Sequence, residues 1–104
     1  IISNVRQQCV TYVIARTGNT KLKGFGTAGR IKTNSQTPQV GAVVITREGK
    51  VGHAAYITDI RDGYLILDEA NYVSTSYKKG GPVSSGRKLA INSPLIKGYV
   101  IQIN

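Results

Sequence analysis

Two residues of this sequence could perform nucleophilic chemistry: its single cysteine, Cys9, and its single histidine, His53. A thiolate is a nucleophile, and a neighbouring imidazole can take its proton and later deliver it to a leaving group. Each residue also has a purely structural interpretation, because a lone cysteine is often a small buried apolar side chain and a strand histidine is often only packed. A catalytic interpretation therefore depends on the elements that hold the two residues and on a third group that orients the imidazole.

Cys9 lies near the start of a segment that has the pattern of an amphipathic helix. The apolar side chains that would share one helical face are Val10, Val13 and Ile14. Ser3 and Asn4 are good N-cap residues, and Gly18 supplies a stop signal. The helix is expected to begin between residues 5 and 8, with Cys9 close to its N-terminal turn. The partial positive charge of that turn would lower the pKa of the thiol.

The second half of the chain has the texture of strands, with short apolar or alternating runs. The expected strands are 41–46, 53–60, 64–72, 87–91 and 98–103, with a polar loop at 73–86. One helix followed by about five antiparallel strands predicts a single α+β domain of residues 1–104 in which the cysteine-bearing helix packs on the sheet. Because the sequence has no methionine, we expect it to be a processed product or a piece excised from a longer chain.

The segment from Gly24 to Gly29 matches the pattern GxGxxG literally. A dinucleotide-binding interpretation is rejected, because no strand precedes the motif, no amphipathic helix follows it, and the chain is too short for a doubly wound sheet. The glycines are instead expected to let the backbone pass close to the body of the domain, as one wall of a groove.

The turn between the second and third predicted strands decides whether an orienting group reaches His53. A two-residue turn at 62–63 would direct Glu69 and Asn71 away from it. A three-residue loop at 61–63 would place Asn71 opposite His53 and Glu69 within reach of the imidazole. We expect the three-residue loop, because a nucleophile, base and orienter set requires that register. Structural roles stay open for both residues, as a solvated strand carboxylate and a turn former.

The order of these motifs resembles that of the CHAP domains, the cysteine, histidine-dependent amidohydrolases/peptidases of the papain-like superfamily. The matching motifs are Gln8-Cys9 with Tyr12-Val13, Pro38-x-x-Gly41-Ala42-Val43-Val44, Gly52-His53-Ala54-Ala55-Tyr56-Ile57 and Glu69-Ala70-Asn71-Tyr72. The resemblance implies a papain-like α+β fold and hydrolysis of an amide bond in the peptide part of peptidoglycan. It leaves open whether the chain is an N-acetylmuramoyl-L-alanine amidase or a peptidoglycan endopeptidase.

The resemblance also implies residue roles. Cys9 would be the nucleophile, His53 the base, and Glu69 the orienting group, with Asn71 as a second polar partner or the orienter itself. The further candidates are Gln8 for the oxyanion, and Tyr56 and Tyr72 for the substrate groove. Some relatives have an acidic calcium-binding loop just before the cysteine, but residues 1–8 contain no acid. With one cysteine and one histidine there is no zinc set either, so no metal and no cofactor are expected.

The net charge of +9 is unevenly placed, because all five acidic residues lie between positions 48 and 69. Such a surface attracts polyanions. The basic residues expected to cluster after the site strand are Lys78, Lys79, Arg87 and Lys88. The implied partners are bacterial peptidoglycan and anionic wall polymers, bound by a monomer that acts extracellularly, in the cell wall or on a phage virion.

Two other classes of function stay open at this point. The domain could be a catalytically silent wall-binding or virion structural module that keeps the fold. It could also be a small basic nucleic-acid-binding domain, although the sequence has no RNP-like aromatic run and no recognition-helix signature. No specific nucleic-acid partner is therefore expected, and no apolar run reaches the roughly 18 residues of a membrane span.

Overall fold

A computed structural model describes residues 6–7, 9–70 and 81–102 of the chain. The cysteine-bearing helix, α1, spans Cys9–Thr17, and short 3₁₀ turns follow at Thr20–Leu22 and Ala28–Arg30. The strands are β1 Arg6–Gln7, β2 Val43–Thr46, β3 His53–Arg61, β4 Tyr64–Ala70, β5 Gly81–Ala90 and β6 Ile96–Val100.

The strands form one antiparallel sheet in the order β1-β5-β4-β3-β2-β6. Helix α1 packs against β3 and β4. The predicted fold class, an α+β domain with the cysteine helix on an antiparallel sheet, is confirmed. β5 begins at residue 81, inside the segment expected to be a loop, and β6 crosses the sheet to pair with β2 rather than with its predecessor.

Helix α1 begins later than the expected range of 5 to 8. Arg6 and Gln7 are strand residues instead, because their backbone pairs with Pro82 and Gly81 of β5. Cys9 is therefore the first helical residue. The predicted N-caps, Ser3 and Asn4, lie outside the described residues.

The C-terminal end of α1 is where the sequence placed it. Gly18 has a φ of +70°, and its N–H donates to the carbonyl of Ile14 at 2.7 Å. This is the left-handed helix end that glycine favours. With nine residues α1 is short, and no helix in the described ranges is long and apolar enough to cross a membrane.

Apolar side chains cover both faces of the sheet. On the helix side, Val13 of α1 packs with β-strand residues such as Val43, Ile45 and Ala54. On the opposite side lies a second cluster with members from five strands: Ala42, Val44, Ala55, Ile57, Leu65, Leu67, Leu89 and Tyr99. Adjacent residues of one strand therefore have opposite surroundings: on β3, Ala54 lies on the helix side, and Ala55 and Ile57 lie on the side away from α1.

The β3–β4 turn differs from the expected three-residue loop. Arg61 pairs directly with Tyr64, so the turn has two residues, Asp62 and Gly63, with φ of +54° and +81°. Two positive φ values are typical of the turn whose twist matches a hairpin. The three-residue prediction is therefore wrong.

The strand register expected from a three-residue loop is nevertheless present further along the hairpin. The pairing shifts by one between Ile57 and Asp59, so Thr58 is an extra residue in β3. Beyond this bulge Tyr56 pairs with Asp68, and one more step along the strands brings Ala55 opposite Glu69. The bulge compensates for the shorter turn, because each changes the register by one residue.

The glycine-rich segment passes close to the body of the domain, as expected. The N–H of Gly29 donates to the carbonyl of Val51 at 2.8 Å. A Cβ atom on Gly52 would lie 2.4 Å from the Gly29 Cα atom. Two backbones therefore touch directly before His53, and neither glycine leaves room for a side chain.

Candidate active site

Cys9 is positioned by the first turn of α1 at the N-terminal end of β3. Its thiol is partly exposed and forms a hydrogen bond with the imidazole of His53. Backbone groups of Ala54 and Val10 also hydrogen-bond to the sulfur. The two residues that could perform nucleophilic chemistry are therefore direct neighbours, although 43 residues separate them in the sequence.

His53 is held from its other side by Glu69. The Nε2 atom of His53 lies 2.8 Å from Oε1 of Glu69, and their side chains are only 6% and 0% exposed. Because Nε2 faces the carboxylate, Nδ1 is the ring nitrogen left for the thiol. The contacts run from sulfur to imidazole to carboxylate, which is the order that a nucleophile, base and orienter require.

The electrostatics of the three groups favour an ion pair. Burial alone would raise the pKa of the Cys9 thiol, but hydrogen bonding to His53 and its charge lower that pKa overall. Burial alone would lower the pKa of His53, yet hydrogen bonds and charge from Cys9 and Glu69 raise it to about 9. The pKa of Glu69 is lowered by His53 and Arg87 despite the opposing effect of burial. All three shifts therefore move the site toward a thiolate beside an imidazolium.

Arg87 is a further member of this site, although its position in the sequence predicts an exposed basic patch. Its Nε and Nη2 atoms donate to the two carboxylate oxygens of Glu69, each at 2.8 Å. Its Nη1 and Nη2 atoms donate to Glu48 at 2.9 and 3.0 Å. The prediction that Arg87 belongs to an exposed basic patch is therefore wrong, because its side chain is 18% exposed and bonded to two carboxylates.

A weak signal for this role was present in the sequence. Arg87 lies two residues before Leu89, which packs in the second apolar cluster. Because side chains two residues apart on a strand share a face, both lie on the inner side of β5. The link to Glu69 also depends on a bulge, since Leu67 pairs with Arg87 but Asp68 pairs with Ser85. The extra residue is Gly86, with a φ of +87°. Alternation could have predicted an inward arginine but not its partner.

Tyr56, a candidate for the substrate groove, lies on the helix side of β3. Its ring is stacked under the guanidinium of Arg16, whose carbon lies 4.3 Å from the ring centre. Arg16 also donates to the hydroxyl of Tyr12 at 2.6 Å and to Asp68 at 2.7 Å. Tyr56 thus belongs to the contact between α1 and the sheet.

Three predicted site residues, Gln8, Asn71 and Tyr72, lie outside the described residues. The expected lack of calcium concerns residues 1–8, whose side chains are likewise outside the description. Across the described ranges, no three His, Cys, Asp or Glu side chains are grouped as a metal site would require.

Comparison with known proteins identifies the family of this arrangement. A family model described as the CHAP domain matches residues 2–71. No curated protein sequence matches. Among solved structures, the crystal structure of the wild-type endolysin LysIME-EF1 is similar, with a TM-score of 0.63 and 18% identity over 95% of this chain. The chain spans 55% of the length of that endolysin chain. At that identity the likeness shows a shared fold.

Proposed function

This chain belongs to the CHAP domain family, and from that premise we propose that it hydrolyses an amide bond in the peptide part of bacterial peptidoglycan. The observation that supports this most directly is the unbroken series of contacts from Cys9 through His53 to Glu69. The similar structure is that of an endolysin, which is consistent with a wall substrate. We place its action in the cell wall, either from outside the cell or from a phage virion.

The first half of the proposed reaction is attack by sulfur. The Cys9 thiolate adds to the amide carbonyl carbon, and the negative charge moves to the carbonyl oxygen. The Cys9 backbone N–H, at the N-terminus of α1, and the side-chain amide of Gln8 are the proposed donors to that oxyanion. The His53 imidazolium then gives its proton to the nitrogen as the C–N bond breaks, which releases the amine and leaves a thioester on Cys9.

The second half is hydrolysis of the thioester. His53, now neutral, removes a proton from water as the water oxygen attacks the thioester carbonyl. The C–S bond breaks, the acid product leaves, and the thiolate beside an imidazolium is restored. Glu69 stabilises the positive imidazole at each stage in which His53 holds two protons, and it keeps the ring oriented toward the sulfur.

Digestion of purified peptidoglycan tests this proposal. The wild-type chain should release soluble fragments, while Cys9→Ser and Cys9→Ala should release none although they still unfold cooperatively. Thr11→Ala, at an exposed position on the same helix, is the matched control and should retain release. Mass spectrometry of the fragments distinguishes the two reactions: a new N-terminus on alanine indicates the amidase, and one on a bridge residue the endopeptidase. Wall binding without any release would contradict the proposal and indicate a silent binding module.

The choice of orienting residue is tested separately. We propose Glu69 rather than Asn71, because the Glu69 carboxylate contacts the imidazole directly. Glu69→Ala should therefore reduce fragment release more than Asn71→Ala. The reverse order would make Asn71 the orienter. Gln8→Ala should lower kcat by ~10²–10³, the usual cost of losing one oxyanion donor, and an unchanged kcat would remove Gln8 from the mechanism.

A further inference from the structure

The Glu69 carboxylate, which contacts His53, also accepts two hydrogen bonds from Arg87. Glu69 is fully buried, and its Oε1 atom accepts from both His53 Nε2 and Arg87 Nη2, each at 2.8 Å. Its Oε2 atom accepts from Arg87 Nε, also at 2.8 Å. Two parallel N–H···O bonds of this kind fix both the position and the rotation of a carboxylate.

Arg87 is in turn held by a second carboxylate. Glu48, from the turn after β2, accepts from Nη1 at 2.9 Å and from Nη2 at 3.0 Å. The hydroxyl of Thr46, which is fully buried, donates to Glu48 Oε1 at 2.9 Å. The guanidinium is therefore fixed from both sides, and Nη2 is shared between Glu48 and Glu69.

A buried carboxylate is costly unless it is paired, because burial disfavours its charged form. The charged groups that face Glu69 in the described structure are the imidazole of His53 and the guanidinium of Arg87, with Glu48 and Cys9 one contact further away. Of the two positive groups, only Arg87 keeps its charge throughout the catalytic cycle, since His53 gives up its proton to the leaving amine. Arg87 is thus the permanent counter-ion of Glu69.

We propose that Arg87 is a positioning residue of the active site: held by Glu48, it keeps Glu69 ionised and aligned with His53. This inference rests on the proposed function for its role in catalysis. Without the guanidinium, two carboxylates that shared one nitrogen would face each other, and like charges at that range favour uptake of a proton. A protonated Glu69 would no longer stabilise the imidazolium, and the thiolate would form only at higher pH.

The alkylation rate of Cys9 measures that thiolate directly. The full chain has one cysteine, so the rate constant with iodoacetamide against pH gives the titration of a single thiol. We expect Arg87→Gln to move the midpoint upward by about one pH unit, a tenfold loss of rate below the midpoint. Arg87→Lys keeps a charge without the fork geometry, and it should move the midpoint less. Unfolding curves establish that each variant is folded at the assay conditions.

A double variant separates charge from general damage. Arg87→Gln with Glu48→Gln removes one positive and one negative group together, so the midpoint should return toward the wild-type value. The matched control is Arg61→Gln, whose side chain is 66% exposed and paired with Asp59, and it should leave the midpoint unchanged. An unshifted midpoint in folded Arg87→Gln and Arg87→Lys, or a double variant worse than Arg87→Gln, would overturn the proposal.

The assay needs no peptidoglycan, which keeps the two proposals distinguishable. If the wild-type chain releases no wall fragments but its alkylation midpoint still depends on Arg87 and Glu48, the proposed function fails and the positioning role stands. If the wild-type chain releases fragments but the alkylation midpoint does not change in the Arg87 variants, the positioning role is contradicted and the proposed function stands.

Discussion

At the scale of single residues, we expect the reactivity of Cys9 to come more from its neighbours than from the helix that carries it. A helix N-terminus contributes only a partial charge, whereas His53 offers a full charge in hydrogen-bond contact with the thiol. The buried Glu69 then stabilises the charged imidazole. Removal of any one of the three should therefore alter the titration of the other two.

The imidazole should stay protonated well above its ordinary range. Although burial opposes it, contact with Cys9 and Glu69 raises the pKa of His53 to about 9. Because the chain has one histidine, proton NMR of the imidazole gives an unambiguous titration. We expect a midpoint near 9 in the wild type and a lower one in Glu69→Gln. A wild-type midpoint near 6.5 would contradict the charged pair.

The raised pKa of His53 also makes the stability of the fold depend on pH. A group whose pKa is higher in the folded state stabilises the fold fully below its unfolded value, about 6.5, and loses that contribution as pH rises to about 9. The lowered pKa of Cys9 acts in the opposite direction in the upper part of this window.

Glu69 should govern part of the stability at acid pH. Its pKa is lowered in the fold, so its contribution is present above the unfolded value and is lost as pH falls through the folded one. Urea unfolding between pH 3 and 7 should show a steep decline for the wild type. For Glu69→Gln the decline should be shallower by up to about 1.4 kcal/mol per pH unit, the limit for one proton. Parallel slopes would show that Glu69 does not titrate differently in the two states.

At the scale of elements, the sequence predicts where single helices and strands lie, but it does not predict the register between strands. The end of α1 and the positions of β2, β3 and β4 follow from glycine, apolar spacing and alternation. The sequence predicts the contact between His53 and Glu69, but from a three-residue loop that the structure does not have. The same register comes from the bulge at Thr58, which has no sequence signature. Gly86 forms the bulge that aligns Arg87, but from the sequence alone it could equally be a loop glycine. Register across strands depends on such single extra residues.

The close approach of Gly29 and Gly52 should matter both for stability and for the site. Gly24→Ala, at a φ of +90° with open space around it, should cost only the left-handed backbone, about 1–2 kcal/mol. Gly52→Ala has a similar φ of +79°, but its Cβ would lie 2.4 Å from Gly29 Cα. Overpacking should add about 1–3 kcal/mol.

Gly52 directly precedes His53, so its replacement should also lower the alkylation rate of Cys9 in the folded protein. Gly24→Ala is the matched control and should leave that rate unchanged. Equal unfolding free energies for the two variants would show that the backbone contact is not tight in solution.

At the scale of the whole molecule, the charges fall into two classes. Every salt bridge between described residues uses arginine or histidine as the positive partner, and none uses lysine. The pairs involve four of the five acidic residues: Glu48, Asp59, Asp68 and Glu69. Arg16 and Arg87 link separate elements of the fold through these pairs, and most of the exposed positive charge without an acidic partner among the described residues is carried by lysine. That division could not be predicted from composition, which counts both residues alike.

Binding to isolated cell wall should therefore weaken as salt rises, because exposed charges are screened beyond about 8–10 Å at 0.1–0.15 M ionic strength. The sequence places Lys78, Lys79 and Lys88 together after the site strand. If they form a binding patch, replacing all three with glutamine should weaken binding at low salt more than replacing Lys21, Lys23 and Lys32, which removes the same charge.

Co-sedimentation with walls, before and after chemical removal of their anionic polymers, provides the measurement. Equal losses in the two triple variants would show that net charge, and not a patch, attracts the wall. Binding that does not change between 50 and 500 mM salt would contradict both forms of the prediction, and it would indicate that wall recognition does not depend on exposed charge.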